Sequence, residues 1–445
     1  MSGPNGMLYG GDEIGALVFD PGHHTLRVGY AQEDTPKAEI PAVVGVGPEC
    51  TPVVYYVDTT FLNVPRPGMD VVSYMKDGSV DNWDLFEKCV LLYSYFQVIK
   101  SSSEYHPTLF SEAPWASRPA REKLAELMFE KYNVPLVILF SNLSIRSVFP
   151  GKSTALVVDS GATHTSAVPV LDGYALGAAS VRSSLGGDHL GQQARALLNT
   201  LNVPLTPATH IQVHSKEVVR EKEKARYTIR TMPEGLTASW QEYMTRQVLN
   251  DFTQTVVQVS ISHSPYDERV AAGTPAIHYE LPCGYHQDFG PERFRLAETL
   301  FEHQMVGASQ LVQTAVGMCD MDMRPAMWGS VVVTGGGTLS SGWAERLARD
   351  LSSRTPSSVR LKTIAANGSA ERRFGAWIGG SILASIGSFQ QMWISSQEYD
   401  EAGKGQVERK SLVFSVPRPK IGPIFPTYKV FLLQKFFFQV PWKTS

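Results

Sequence analysis

The chain has 445 residues, 43% of them hydrophobic and 19% charged, enough to bury a large core and to divide into two lobes. Forty basic residues against forty-three acidic ones leave a net charge of −3, which excludes a basic nucleic-acid field and a polyacidic tail. Cys50, Cys89, Cys283 and Cys319 lie far apart with no CxxC pair, against a zinc site or disulfide framework and in keeping with a reducing compartment. The first fifteen residues lack the basic and apolar regions of a secretory signal. The apolar run Val430 to Phe438 is interrupted by Gln434 and Lys435 and is too short to span a membrane.

In chain order, the first element is ALVFDPG, Ala16 to Gly22, an apolar strand that ends on Asp20 and turns through glycine. Arg118 to Tyr132 follows as a helix with Leu124, Leu127 and Met128 on one side. ALVVDSG, Ala155 to Gly161, then nearly repeats the first motif and places Asp159 where Asp20 stood. Asp188 to Leu201 reads as a helix opening after the flexible pair Gly186 and Gly187. The charge-rich stretch Lys216 to Arg230 reads as solvated surface, because acids interrupt its basic residues. SVVVTGGG, Ser330 to Gly337, is a third strand ending in glycine, and Phe374 to Ile386 repeats apolar residues at helical spacing. The last segment, Ser411 to Ser445, changes character, carries five prolines and receives no fold assignment. Duplicated strand-turn units with helices between them predict an α/β fold of two lobes with a ligand between them.

Two glycine turns after strands offer backbone N–H groups to the phosphates of a nucleotide. Asp20 and Asp159 would then meet the water shell of one magnesium ion, and Arg27 could donate to a phosphate. A single Asp-x-Gly would be an ordinary turn cap; the near-identical pair favours a paired phosphate site. Gly335, Gly336 and Gly337, after the third strand, fit a base-and-ribose contact. His23, His24 and His164 follow the two turns, yet no carboxylate or cysteine stands beside them at ligand spacing, which argues against a histidine metal site.

From about Gly11 to Lys410 the chain resembles actin and its relatives. VVDSGATHT, LPCGYHQDFG, VVVTGGGTL and WIGGSILASIGSFQQMWISSQEYDE are similar to family segments in the family's order. YGGDEIGALVFD, YYVDTTFLNVPR, DNWDLFEK, FSEAPWASRPAREKLAELMFEKYNVP and VERK resemble the nuclear actin-related protein 4 group, which includes the actin-like protein of BAF complexes. The resemblance implies an actin-like ATPase fold, a two-lobed clamp of four subdomains around ATP and magnesium. It puts the first lobe at 11–150 with 375–410 and the second at 151–374, leaving 411–445 as an atypical tail. By the same matching, Asp20, Gly22, Arg27, Asp159, Ser160 and Gly161 fall at the phosphates. Gly187, Gly335, Gly336, Gly337, Leu339 and Arg373 fall near the ribose and adenine.

Departures from the family pattern change the expected activity. His23 replaces a serine of the first phosphate loop, with His24 beside it in place of a glycine. Asn142 stands for the glutamine that orients the attacking water, and Ser166 for a nearby histidine. Losing both should remove much of the hydrolysis, and the bulk of His23 and His24 where phosphate approaches should weaken phosphate binding as well. Val46 to Val54 is short and unlike actin's polymerisation loop, which counts against filaments. The groove that receives a partner helix in this family falls at Leu383, Ile386 and Met392, which from spacing alone also read as core.

The expectation is a noncatalytic nuclear subunit of chromatin-remodelling (SWI/SNF or BAF type) or histone acetyltransferase complexes, contributing to transcription regulation. It would pair with actin, dock on a helix of the remodelling ATPase and contact other subunits, with nucleosome or DNA contact indirect and no membrane. Rival readings are a filament-forming ATPase and a sugar kinase or chaperone ATPase of the same superfamily.

Overall fold

The computed structural model describes residues 15–48, 52–91, 93–142, 151, 153–213, 227–260, 267–301, 306–386, 392–410 and 413–414. Two mixed sheets organise it. The first runs, in spatial order, Ile394–Ser395, Leu136–Ser141, Thr108–Glu112, Leu17–Pro21, Thr25–Tyr30 and Ala38–Pro41. The second contains, in the same sense, Thr363–Ala365, Val331–Thr334, Ala155–Ser160, Thr165–Leu171, Tyr174–Leu176 and Val413–Phe414. In each, the strand bearing the repeated motif is antiparallel to the strand that follows it and parallel to one far along the chain. These central strands are runs of β-branched and large apolar residues because both their faces are buried, in the first sheet under helices on either side; Leu17, Val18, Phe19 and Leu156, Val157, Val158 are all inaccessible.

The repetition extends to the register. Asp20 pairs with Arg27 across the first hairpin and Asp159 with Ser166 across the second. Each hairpin closes with the same bond, from the Gly22 N–H to the Thr25 carbonyl and from the Gly161 N–H to the His164 carbonyl, both at 2.9 Å. The sequence repeat is therefore a repeat of backbone conformation.

Helices Gly187–Thr200, Ala238–Val256, Ala308–Met318 and Trp343–Arg354 build the larger core around the second sheet. Helix Gly375–Ser385 returns to the first sheet, where Trp377 is fully buried and donates its indole N–H to the Val18 carbonyl at 3.1 Å. A capping box of Ser395 and Glu398 starts helix Ser396–Ala402. Lys410 closes this end on Glu398 at 2.7 Å and on the Trp393 carbonyl.

Two sequence expectations change in detail, and a third segment, Val46–Val54, gains a local description. The helix expected over Arg118–Tyr132 is α-helical only to Glu126 and continues as a π-helix over Leu127–Lys131. Its wider turn lets the consecutive residues Leu127, Met128 and Phe129 all be buried. The Val46–Val54 segment joins two paired strands, with the Gly47 N–H bonded to the Val54 carbonyl at 2.8 Å. In the tail, Val413–Phe414 adds a parallel strand beside Tyr174–Leu176. Residues 216–226 and 415–445 lie outside the described residues. Among the described residues no helix is long and apolar enough to cross a membrane, and Cys283 and Cys319 are free and buried.

Candidate nucleotide cleft

Asp20 ends its strand 2% exposed. It accepts a hydrogen bond from Arg27 Nη1 at 3.0 Å and one from the Ser111 hydroxyl. Arg27 Nε also faces Glu39 at 3.5 Å, and Glu39 holds Arg373 at 3.0 Å. The two guanidinium groups thus share one carboxylate, and both lie over the Phe374 ring. Arg27 positions Asp20, with Nη2 as the nitrogen left for a ligand contact.

Asp159 ends the matching strand of the second sheet, 6% exposed. Its neighbour Ser160 is fixed to Thr165 Oγ1 at 2.9 Å, and Thr165 donates to the Leu185 carbonyl at 2.6 Å. The third glycine turn packs onto this one. Gly335 adopts φ +94°, where only glycine is unstrained. A Cβ there would collide with the Asp159 carboxylate and the Ser160 carbonyl, and one on Gly337 would lie 2.6 Å from Ser160 Oγ. Gly336 has open space, and Leu339 ends the short 3₁₀ turn 37% exposed. Gly187 starts its helix by donating to the Gly161 carbonyl at 3.0 Å, so the second turn, third turn and helix start form one assembly.

His23, His24, Ala162 and Thr163 are the central residues of the two hairpin turns, and their N–H groups take no partner among the described residues. Such paired sets of open amides are what an oligophosphate needs. Ser166 Oγ and Asn142 Oδ1, at the positions expected to orient water, are buried without a partner among the described residues. Buried polar atoms of this kind call for a water or ligand. With Asp20 and Asp159 at equivalent strand ends, the residues present fit a nucleotide with a hydrated magnesium ion.

The histidines alter this site. His23 is half-buried, and burial, followed by the charge of His24, holds its imidazole below the usual range. His24 Nε2 stands 2.8 Å from Asp188 in the first turn of the helix under the second loop. The sequence reasoning found no carboxylate near these histidines because Asp188 is remote in the chain. Among the described residues there is no group of three or more histidine, cysteine or carboxylate side chains that could hold a metal ion.

The lobes also meet elsewhere. At their tips Trp240 is inaccessible among Met69, Met244, Tyr56 and Leu236, and donates to the Leu62 carbonyl at 2.8 Å. Ser239 adds a bond to Asp70 at 2.7 Å, and the Gly68 N–H reaches the Gly235 carbonyl at 2.8 Å. Trp115 also contacts the His164 ring at 5.0 Å and the Arg182 guanidinium at 4.6 Å. Sequence reasoning missed Trp240; the one available signal was an aromatic residue at the head of an amphipathic helix.

At the expected partner groove, Leu383 is core, Met392 is partly buried against the same cluster, and Ile386 is 42% exposed. Residues 387–391 lie outside the described residues. Separately, a cavity of about 860 Å³ is lined by Glu87, Phe96, Lys100 and Lys131, none of them residues of the glycine turns.

Comparison with known proteins agrees with this geometry. The actin family profile matches residues 11–412. Actin-related protein 4 of Arabidopsis thaliana is 34% identical, over 91% of this chain and the whole of the relative. Its namesake from Emericella nidulans is 34% identical over 92% and 98% of the two chains, and that from Yarrowia lipolytica 31% identical over 90% and 96%. A duplicated sheet with paired aspartate-glycine turns, together with a match across nine-tenths of its length, means that the chain belongs to the actin family.

Proposed function

We propose that this protein is a noncatalytic nuclear subunit of a chromatin-remodelling or histone acetyltransferase complex. In this reading it holds ATP and magnesium as a structural wedge, pairs with actin and docks on a helix of the complex's ATPase. The family as a whole binds nucleotide with magnesium, and the relatives named actin-related protein 4 support the narrower assignment.

The observation that carries the proposal is a paired phosphate framework, altered in its first turn by His23 and His24, around altered water-orienting positions. Asp20 and Asp159 sit at equivalent register positions and the two turns expose their amides. Arg27, Gly22, Ser160 and Gly161 frame the phosphates; Gly187, Gly335, Gly336, Gly337, Leu339 and Arg373 line the nucleoside side. Bound magnesium would neutralise phosphate charge there. Asn142 and Ser166 are shorter groups than a water-positioning pair requires, which removes general-base assistance and leaves binding. The Trp240 contact at the tips favours retention over exchange, because release of a clasped ligand requires the lobes to part.

Partner docking at Leu383, Ile386 and Met392 follows the helix-in-groove mode, in which an amphipathic helix covers exposed apolar side chains such as Ile386. The test is co-purification of the protein with actin and a remodelling-ATPase helix. A stoichiometric ternary complex weakened by Ile386→Asp is the expected result. Self-assembly into filaments on adding magnesium and salt, with no helix bound, would favour the filament-ATPase reading.

A further inference from the structure

His24 and Asp188 come from different lobes, and each is fixed to its own phosphate turn. The His24 carbonyl accepts from the Ala42 N–H at 2.8 Å, and the residue is one of the two central residues of the first turn. The Asp188 N–H donates to the Ala162 carbonyl at 2.7 Å, on the second turn, and its side chain lies in the first turn of a fourteen-residue helix. Their side chains meet at 2.8 Å and are 27% and 30% exposed, with His24 Nε2 itself shielded from solvent, so the contact spans the space between the turns.

A nucleotide changes what this pair experiences. The other charged groups around it are His23, His164 and Arg246. Burial works against the Asp188 carboxylate, but His24, with Arg246 and His23 behind it, offsets this and the carboxyl lies below its usual range. An arriving oligophosphate would be repelled by that carboxylate and attracted by the imidazole. A phosphate that takes His24 Nε2 as its partner displaces Asp188 from that nitrogen.

We propose that His24 and Asp188 form a latch across the cleft, which ties the phosphate turns to each other and which a nucleoside triphosphate opens by taking His24 from Asp188. The inference rests on the nucleotide reading above and adds to it a built-in competitor for phosphate. Asp188 therefore sets affinity for phosphate-rich ligands in particular, and the adenosine moiety is indifferent to it.

The test measures ATP and AMP affinity by calorimetry for the full chain, Asp188→Asn, His24→Gln and the exchanged pair His24→Asp with Asp188→His, alongside hydrogen exchange of each nucleotide-free protein. Asp188→Asn is expected to bind ATP about two- to fivefold more tightly, the range an exposed ion pair supplies, with AMP unchanged. His24→Gln is expected to bind ATP more weakly. Both single variants should exchange faster at residues 22–25 and 186–190, and the exchanged pair should restore protection. ATP affinity that is unchanged or weakened in Asp188→Asn overturns the latch and leaves the nucleotide reading standing. No ATP uptake by any of the four proteins overturns both.

Discussion

Gly335 abuts Asp159 so closely that no side chain fits between the third glycine turn and the second phosphate turn. The contact explains why the two strands, paired in parallel with Asp159 opposite Thr334, can both end at one ligand. Gly335→Ala should destabilise the protein by about 1–3 kcal/mol from the positive φ alone, with a further cost as Asp159 is pushed aside. Gly336→Ala, where a Cβ meets nothing within 4 Å, should stay within about 0.5 kcal/mol of wild type. Thermal denaturation of the two variants, one residue apart, checks the packing directly.

Trp240 should govern how fast nucleotide leaves. Trp240→Phe keeps most of the apolar fill between the lobe tips but removes the bond to Leu62 at 2.8 Å, a loss of about 1–3 kcal/mol if the carbonyl stays dry. The expected outcome is faster release of a fluorescent ATP analogue in a chase experiment, faster still for Trp240→Ala. Unchanged release would mean that the tips do not gate the cleft.

In the second lobe Arg346 is 1% exposed and bonds both oxygens of Glu298, at 2.6 and 2.8 Å, and Asp350 at 3.0 Å. Glu298→Ala leaves Arg346 held by Asp350 alone and should cost about 1.5–3 kcal/mol. Replacing all three charges, as Arg346→Met with Glu298→Leu and Asp350→Asn, should recover most of that loss, because Asp350 would otherwise remain a buried carboxylate with only the Ser309 hydroxyl, at 2.9 Å, as partner. Denaturant titration of the single and triple variants measures the difference.

The cleft histidine makes stability depend on pH. Burial and the His24 charge hold His23 below its ordinary 6.5 in the folded state. The folded protein therefore binds fewer protons here than the unfolded chain. Its contribution to stability is complete above about pH 6.5 and is lost as the pH falls below that value. His23→Asn should flatten the decline between about pH 7 and pH 5 relative to wild type, seen in unfolding free energies across that range.

Much of this arrangement could be read from the chain. ALVFDPG and ALVVDSG announced two matched strand-turn units, because a strand buried on both faces needs an apolar run and the turn after it needs glycine. Asp20, Asp159 and the Gly335 turn fell where those motifs placed them. Contacts joining remote segments were not legible: nothing near His24 names Asp188, and nothing in the helix beginning at Ala238 says that Trp240 fills the gap beside Met69. The π-helical turn at Leu127 was also hidden, since an apolar triplet continues an α-helical pattern until packing decides how many of its members are buried. Arg27 read as a phosphate donor because its charge was visible and its obligations to Asp20 and Glu39 were not.

In the proposed function the cleft holds nucleotide without turning it over. The most direct measurement is single-turnover phosphate release from the purified protein loaded with γ-labelled ATP and magnesium, with the bound nucleotide identified at the end. Retained ATP, with release no faster than from ATP in buffer, is the predicted result. Release that depends on the protein and leaves ADP in the cleft would contradict it.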